Sequence, residues 1–155
     1  MPNFTVNTDD RLFRIRPNTI PDGYGYSVYG LGESGRLEIT LTAERYLVSI
    51  DCYELEKIHE LPIFLPGIQE CAEDGAGPIR GGKPYESGLD DDFSFECILN
   101  KDGFAIVFSD DLEPCFYCKE GRVEYLYDEF MCLSYIKVVD LTDEEYAYLK
   151  QFCKE

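Results

Sequence analysis

The chain has 155 residues, 45% of them hydrophobic and 14% aromatic, a length that fits one domain with a normal core. Its 31 acidic and 14 basic residues give a net charge of −17, which argues against direct binding of nucleic acid and of anionic membranes, because phosphates repel such a surface. No apolar run is long enough to span a bilayer, Met1-Pro2-Asn3-Phe4 has neither a basic region nor an apolar signal segment, and seven cysteines without such a signal read as reduced thiols, so a soluble cytoplasmic protein is expected.

Along the chain, Leu12–Arg16 is a short β-type run stopped by Pro17, and Pro21-Asp22-Gly23 has turn chemistry. Tyr24–Gly32 reads as a strand whose glycines suggest a bulge or a close backbone approach. Gly25, Gly30, Gly32 and Gly35 do not form the G-x-G-x-x-G fingerprint, so phosphate binding is not expected there. Tyr24, Tyr26 and Tyr29 suit packing with a wet hydroxyl better than a stacking face for sugars or bases. After a turn at Glu33-Ser34-Gly35, Arg36–Thr42 alternates, with Leu37, Ile39 and Leu41 on one face. Arg45–Tyr53 does the same with Tyr46, Val48, Ile50 and Cys52, and the two predict a hairpin around Thr42–Glu44. Glu54–Leu61 is ambiguous: Leu55, Ile58 and Leu61 fit one helical face, and Pro62 ends the segment. Ile63–Asp92 is rich in glycine, proline and acid, and a loop this long is usually functional or disordered.

The β-rich centre is Phe93–Val139. Phe93, Phe95, Cys97 and Leu99 alternate with Ser94, Glu96 and Asn100, and Asn100-Lys101-Asp102-Gly103 predicts a hairpin in which Gly103 takes a positive φ. A calcium loop aligned on Gly103 would need acids where Ile98 and Ser109 stand, so that reading fails. Phe104–Phe108 is apolar throughout, as in a strand covered on both faces. Asp110-Asp111-Leu112-Glu113-Pro114 breaks the pattern. Cys115–Lys119 and Arg122–Tyr127 flank a second hairpin at Glu120-Gly121, Asp128-Glu129 turns the chain, and Met131–Val139 follows. Five strands with short links predict an antiparallel meander. Thr142 and Glu145 form a capping box that opens a terminal helix, with Tyr146, Leu149 and Cys153 on its docking face.

The expected fold is therefore α+β: a single domain over residues 1–155 with a twisted antiparallel, meander-rich sheet of about eight strands. The C-terminal helix packs on the sheet, and a long loop spans about 63–92. Whether Leu12–Tyr53 and Phe93–Val139 share one curved sheet or form two packed sheets is open, with one sheet preferred.

Little in the chain carries catalytic chemistry. Cys115 and Cys118 have the spacing of half a zinc site but no second C-x-x-C, and in a flat strand they point to opposite faces, so buried thiols are expected and no metal is assigned. His59 is the only histidine and has no nucleophile signature near it, so no catalytic residue and no cofactor are assigned. The acids are the remaining signal. Net charge is −1 over residues 1–50, −9 over 51–100 and −7 over 101–155. Asp90, Asp91, Asp92, Asp110, Asp111, Glu113, Glu120, Glu124, Asp128 and Glu129 fall mostly in predicted turns, where they would face a basic protein partner. In size and charge the chain is similar to toxin-immunity proteins and to nucleic-acid mimics that inhibit nucleases or CRISPR effectors, so a non-enzymatic inhibitor is expected. The alternative is a small-ligand or divalent-metal site, or an enzyme, built on the 63–92 loop with Asp90–Asp92.

Overall fold

The computed structural model describes residues 3–8, 11–16, 25–32, 35–42, 47–60, 69–70, 95–108, 116–127 and 133–153. Five strands, β1 (Phe4–Thr8), β2 (Arg11–Ile15), β3 (Gly25–Gly32), β4 (Gly35–Thr42) and β5 (Leu47–Leu55), form an antiparallel sheet in the order β1-β2-β5-β4-β3. Seven more form a second sheet. They are β6 (His59–Glu60), β7 (Gln69–Glu70), β8 (Glu96–Asn100), β9 (Gly103–Val107), β10 (Phe116–Glu120), β11 (Val123–Tyr127) and β12 (Leu133–Val139), in the order β6-β8-β9-β12-β11-β10-β7. One short helix, α1 (Asp143–Lys150), follows. The expectation of one sheet of about eight strands is thus corrected to two sheets and twelve strands among the described residues.

Both sheets turn their apolar alternation toward one core. Phe4, Phe13, Ile15, Leu37, Ile39, Ile50 and Cys52 come from the first sheet; Cys97, Leu99, Phe104, Ile106, Val123, Tyr125, Ile136 and Val138 come from the second, and all are buried. Phe104 joins the two: its ring lies 5.2 Å from Phe13, edge-on, and 6.2 Å from Phe4. Such aromatic pairs add roughly 0.5–1.5 kcal/mol beyond the area they bury. Each half of the chain has one apolar face per strand, and facing sheets bury both, which one sheet with a single helix would not.

The meander holds only in part. β10, β11 and β12 follow one another, but β12 then pairs with β9. β9 is buried at every position and needs a neighbour on each side. The segment leading to β10 contains Pro114 and spans residues 109–115, too long for a tight hairpin. β12 fills the place that β10 would take in a meander. Two pairs are parallel, β6 with β8 and β7 with β10, each only two residues long.

Local chemistry explains the turns. Asn100 Oδ1 accepts from the amides of Asp102 at 2.7 Å and Gly103 at 3.2 Å, closing the β8–β9 hairpin. Gly103 does not have the expected positive φ. It is glycine because a Cβ there would meet Val138 O at 2.3 Å. The left-handed turn residue is Gly121, at φ +60°, between β10 and β11. In place of a helix, Glu54–Glu60 completes β5 and runs extended into β6. Leu55 and Ile58 are buried all the same, and the Ile58 amide donates to Phe152 O at 3.0 Å.

Helix α1 starts as expected. Glu145 N donates to Thr142 Oγ1 at 3.1 Å, and Thr142 N donates to Glu145 Oε1 at 2.9 Å. Arg122 adds a fork to the same carboxylate, with Nη1 and Nη2 each 2.5 Å from an Oε oxygen, and Nη2 also donates to Phe4 O at 3.2 Å. One guanidinium thereby ties the helix start to β11 and β1. Leu149 is fully buried, with Tyr146 and Cys153 packed beside the core.

Candidate functional site

The strand directions of the seven-stranded sheet bring several strand ends together. Glu96, the first residue of β8, pairs with Val107, the last of β9, and Val107 pairs with Tyr135 near the start of β12. Leu133 pairs with Tyr127, the last residue of β11; Tyr127 pairs with Phe116, the first of β10; Phe116 pairs with Gln69. These residues form one end of the sheet. The segments 109–115 and 128–132, and the segment that enters β8, all attach there. Asp110, Asp111 and Glu113 are in the first, Asp128 and Glu129 in the second, and Asp90, Asp91 and Asp92 in the third; all eight lie outside the described residues.

Glu120 and Glu124 belong to the other end, at the β10–β11 hairpin. β11 has five residues, so at about 3.4 Å per residue the two ends are roughly 17 Å apart. Glu124 pairs with Lys119 on β10 and with Lys137 on β12. Its charge is thus flanked by two lysines, an arrangement in which each cross-strand pair is worth roughly 0.2–1 kcal/mol. Of the ten acids, Glu120 and Glu124 are thus in described strands at the hairpin end, and the other eight are in segments outside the described residues.

Charge is sorted along the chain as well. The described residues contain 10 basic and 14 acidic side chains, net −4; the segments between and beyond them carry the other −13. The strands of the five-stranded sheet carry three of each sign: Arg11, Arg14 and Arg36 against Glu38, Asp51 and Glu54.

Sequence reasoning missed the one buried carboxylate among the described residues. Asp51 on β5 is only 3% exposed, on the side of the sheet away from the core. Arg14, opposite it in register, places Nε 2.5 Å from Asp51 Oδ1, and Ser49 Oγ donates to Oδ2 at 3.1 Å. Arg11 Nε lies 2.9 Å from Oδ1, an ion-pair distance without the alignment of a hydrogen bond, and Arg11 Cζ sits 5.8 Å from the centre of the Tyr53 ring. Two arginines on β2 and an aspartate on another strand are the only trace of this cluster in the sequence, and they converge only once the β2–β5 register is known. The cluster satisfies a buried charge; it leaves no free acid or base for chemistry.

The two buried thiols among the described residues are equally quiet. Burial pushes the Cys52 thiol up to about 12 and the Cys97 thiol well above its ordinary value. Cys52 Sγ donates to Glu54 O at 3.3 Å. At neutral pH neither forms the thiolate that nucleophilic or redox chemistry requires. Cys118 lies on β10 opposite Tyr125, while Cys115 lies outside the described residues. His59 is half-buried on β6, paired with Ile98. Among the described residues no group of three or more His, Cys, Asp or Glu side chains is placed to hold a metal ion, and no helix is long and apolar enough to cross a membrane. The sequence matches no protein-family model and no curated protein.

Proposed function

We propose that the protein is a binding module that blocks or buffers a basic protein partner through the end of the seven-stranded sheet where β8, β10 and β12 begin. The observation that supports this reading is the convergence of strand ends: three segments bearing eight carboxylates attach at one end of one sheet. Like charges gathered in this way create a local field that speeds encounter with a basic groove and selects against acidic competitors. A face of this kind competes with nucleic acid for the same groove, the behaviour of a nucleic-acid mimic or an immunity protein. Its natural setting is the cytoplasm, where a basic nucleic-acid-handling enzyme or toxin would be met.

The test separates the two acid groups. The full chain is used to capture partners at low salt, and the partner recovered is titrated by calorimetry against three proteins. These are the wild type, a variant with Asp90, Asp91, Asp92, Asp110, Asp111, Glu113, Asp128 and Glu129 changed to their amides, and Glu120→Gln/Glu124→Gln. The expected result is a basic partner whose affinity falls as salt rises. The eight-residue variant should lose binding, and the hairpin variant should keep it within about threefold. Failure to capture a basic partner, or retained affinity in the eight-residue variant, overturns the reading.

A further inference from the structure

A sheet edge exposes unpaired amides and carbonyls, and proteins blunt such edges with short strands, charges, kinks or covering groups. Three of the four edges here are blunted. β6 and β7 are two residues each. On β1, Asn7 has φ +51° and drops out of the pairing with β2, and Arg122 occupies the Phe4 carbonyl. The fourth edge, β3, has none of these devices. It is eight residues long, it pairs with β4 in unbroken register, and no strand among the described residues pairs with its other side.

The sequence of β3 is equally unguarded. Gly23–Gly32 is the longest run in the chain without a charged residue, and it contains no proline. It includes Gly25, Gly30 and Gly32, and glycine within a strand often marks a place where another backbone approaches closely. β4 behind it carries one charge of each sign, Arg36 and Glu38.

We propose that β3 is the pairing edge of a homodimer, in which two copies add antiparallel along Gly25–Gly32 and continue the five-stranded sheet across a two-fold axis. A second copy is the occupant that charge favours. A chain of −17 repels its own copies over most of its surface, but the strands of this sheet are neutral in sum, so the copies meet here with least repulsion. A strand without charge offers nothing to attract a basic segment. A two-fold strand pair also needs only this one edge on each partner. The inference is independent of the acidic end of the other sheet, and salt separates them: screening weakens binding of a basic partner but strengthens self-association of an acidic chain.

The experiment is sedimentation equilibrium on the full chain, up to on the order of 100 μM because a strand-edge interface is small, at low salt and at about 0.5 M salt. Two variants place a charge on β3 that suits the monomer: Tyr29→Lys, opposite Glu38, and Leu31→Glu, opposite Arg36. In a two-fold pair over Gly25–Gly32 these positions fall opposite Val28 and Tyr26 of the second copy, so each variant sets an unmatched charge into an uncharged seam. Gln151→Lys, at an exposed site after α1, is the control. The expected result is a wild-type dimer favoured by salt, a dissociation constant raised at least about tenfold in both β3 variants, and no change in the control. Thermal unfolding confirms that the variants fold, and hydrogen exchange should show the alternate Gly25–Gly32 amides that do not bond to β4 protected only at high protein concentration. A wild-type monomer under all conditions overturns the proposal. So does an undiminished dimer in both β3 variants, or concentration-independent protection of the amides that face away from β4, which would mean that another part of the chain covers the edge.

Discussion

The strands of the five-stranded sheet balance three basic against three acidic residues, and the one acid they bury, Asp51, is met by two arginines and a serine. The strands of the seven-stranded sheet carry only Lys119 and Lys137 against Glu60, Glu70, Glu96, Glu120 and Glu124. The contrast shows how a chain with this much charge folds at all. Strand positions that face a core or a neighbouring strand cannot hold unmatched carboxylates, because desolvation would outweigh anything gained. The excess acid is therefore displaced into the connections, and topology decides where it collects. In the first sheet the strands pair charge internally. In the second, strand direction brings the segments 109–115 and 128–132 and the entry to β8 to one end, and leaves the β8–β9 and β10–β11 hairpins at the other.

The comparison is broken most severely at the residue the sheets share. Phe104→Ala removes a ring packed on Phe13 and Phe4 and should cost about 3–5 kcal/mol. Urea unfolding followed by far-ultraviolet circular dichroism and by tyrosine fluorescence should give one coincident, strongly shifted transition. Two separated transitions would show that the sheets are stabilised independently, and the common core would lose its meaning.

Next in size is Asp51→Asn. It leaves Arg11 and Arg14 without the carboxylate they share and should cost about 2–3 kcal/mol, less than a fully buried pair because the arginines are themselves 28% exposed. Arg14→Leu in the same background should recover part of that loss in a double-mutant cycle. A cost near zero for Asp51→Asn would remove the distinction between matched and displaced acid.

How far the sequence revealed this follows from the range of the interactions. Period-two alternation is local, so β2, β4, β5, β8 and β9 were legible, as were the Asn100 turn and the Thr142–Glu145 capping box. β1 was not: Phe4-Thr-Val-Asn-Thr is short and uncharged, and only burial of Phe4 against the second sheet shows that it belongs. Glu54–Leu61 stayed ambiguous because Leu55 and Ile58 suit a helix face as well as two inward points of a strand and its continuation. Pairing order and register are long-range, so the insertion of β12 beside β9, the Asp51 cluster and the common end of β8, β10 and β12 needed the structure. Of the ten acids singled out, composition indicated the kind of residue and topology the grouping.

A smaller effect sharpens the comparison at the helix. Burial raises the Glu145 carboxyl, but the Arg122 fork and the Thr142 amide outweigh it and hold the group below its usual value. A carboxylate lowered by folding adds stability that is complete above about pH 5 and fades as pH falls through its depressed value. Glu145→Gln should cost roughly 1 kcal/mol at pH 7, solvent screening included, and its deficit relative to wild type should be smaller at a pH below the depressed value. An equal deficit at both pH values would mean that the charge of Glu145 contributes nothing.

The least costly substitution is the most informative about the acidic surface. Glu124 lies between Lys119 and Lys137 in register, so Glu124→Gln removes its cross-strand attraction to them and should cost no more than about 0.5–1 kcal/mol, diminishing with added salt. If Glu124 instead stood in an unbalanced field of carboxylates, removing its charge would relieve repulsion and stabilise the protein, most at low salt. The sign of the change in urea midpoint at low ionic strength therefore distinguishes the two. A destabilised Glu124→Gln marks the β10–β11 hairpin as a neutralised part of the sheet, in the manner of the five-stranded sheet, and confines the unbalanced acid to the opposite end. A stabilised one would extend the acidic field along the whole of β11 and merge the two groups that topology divides.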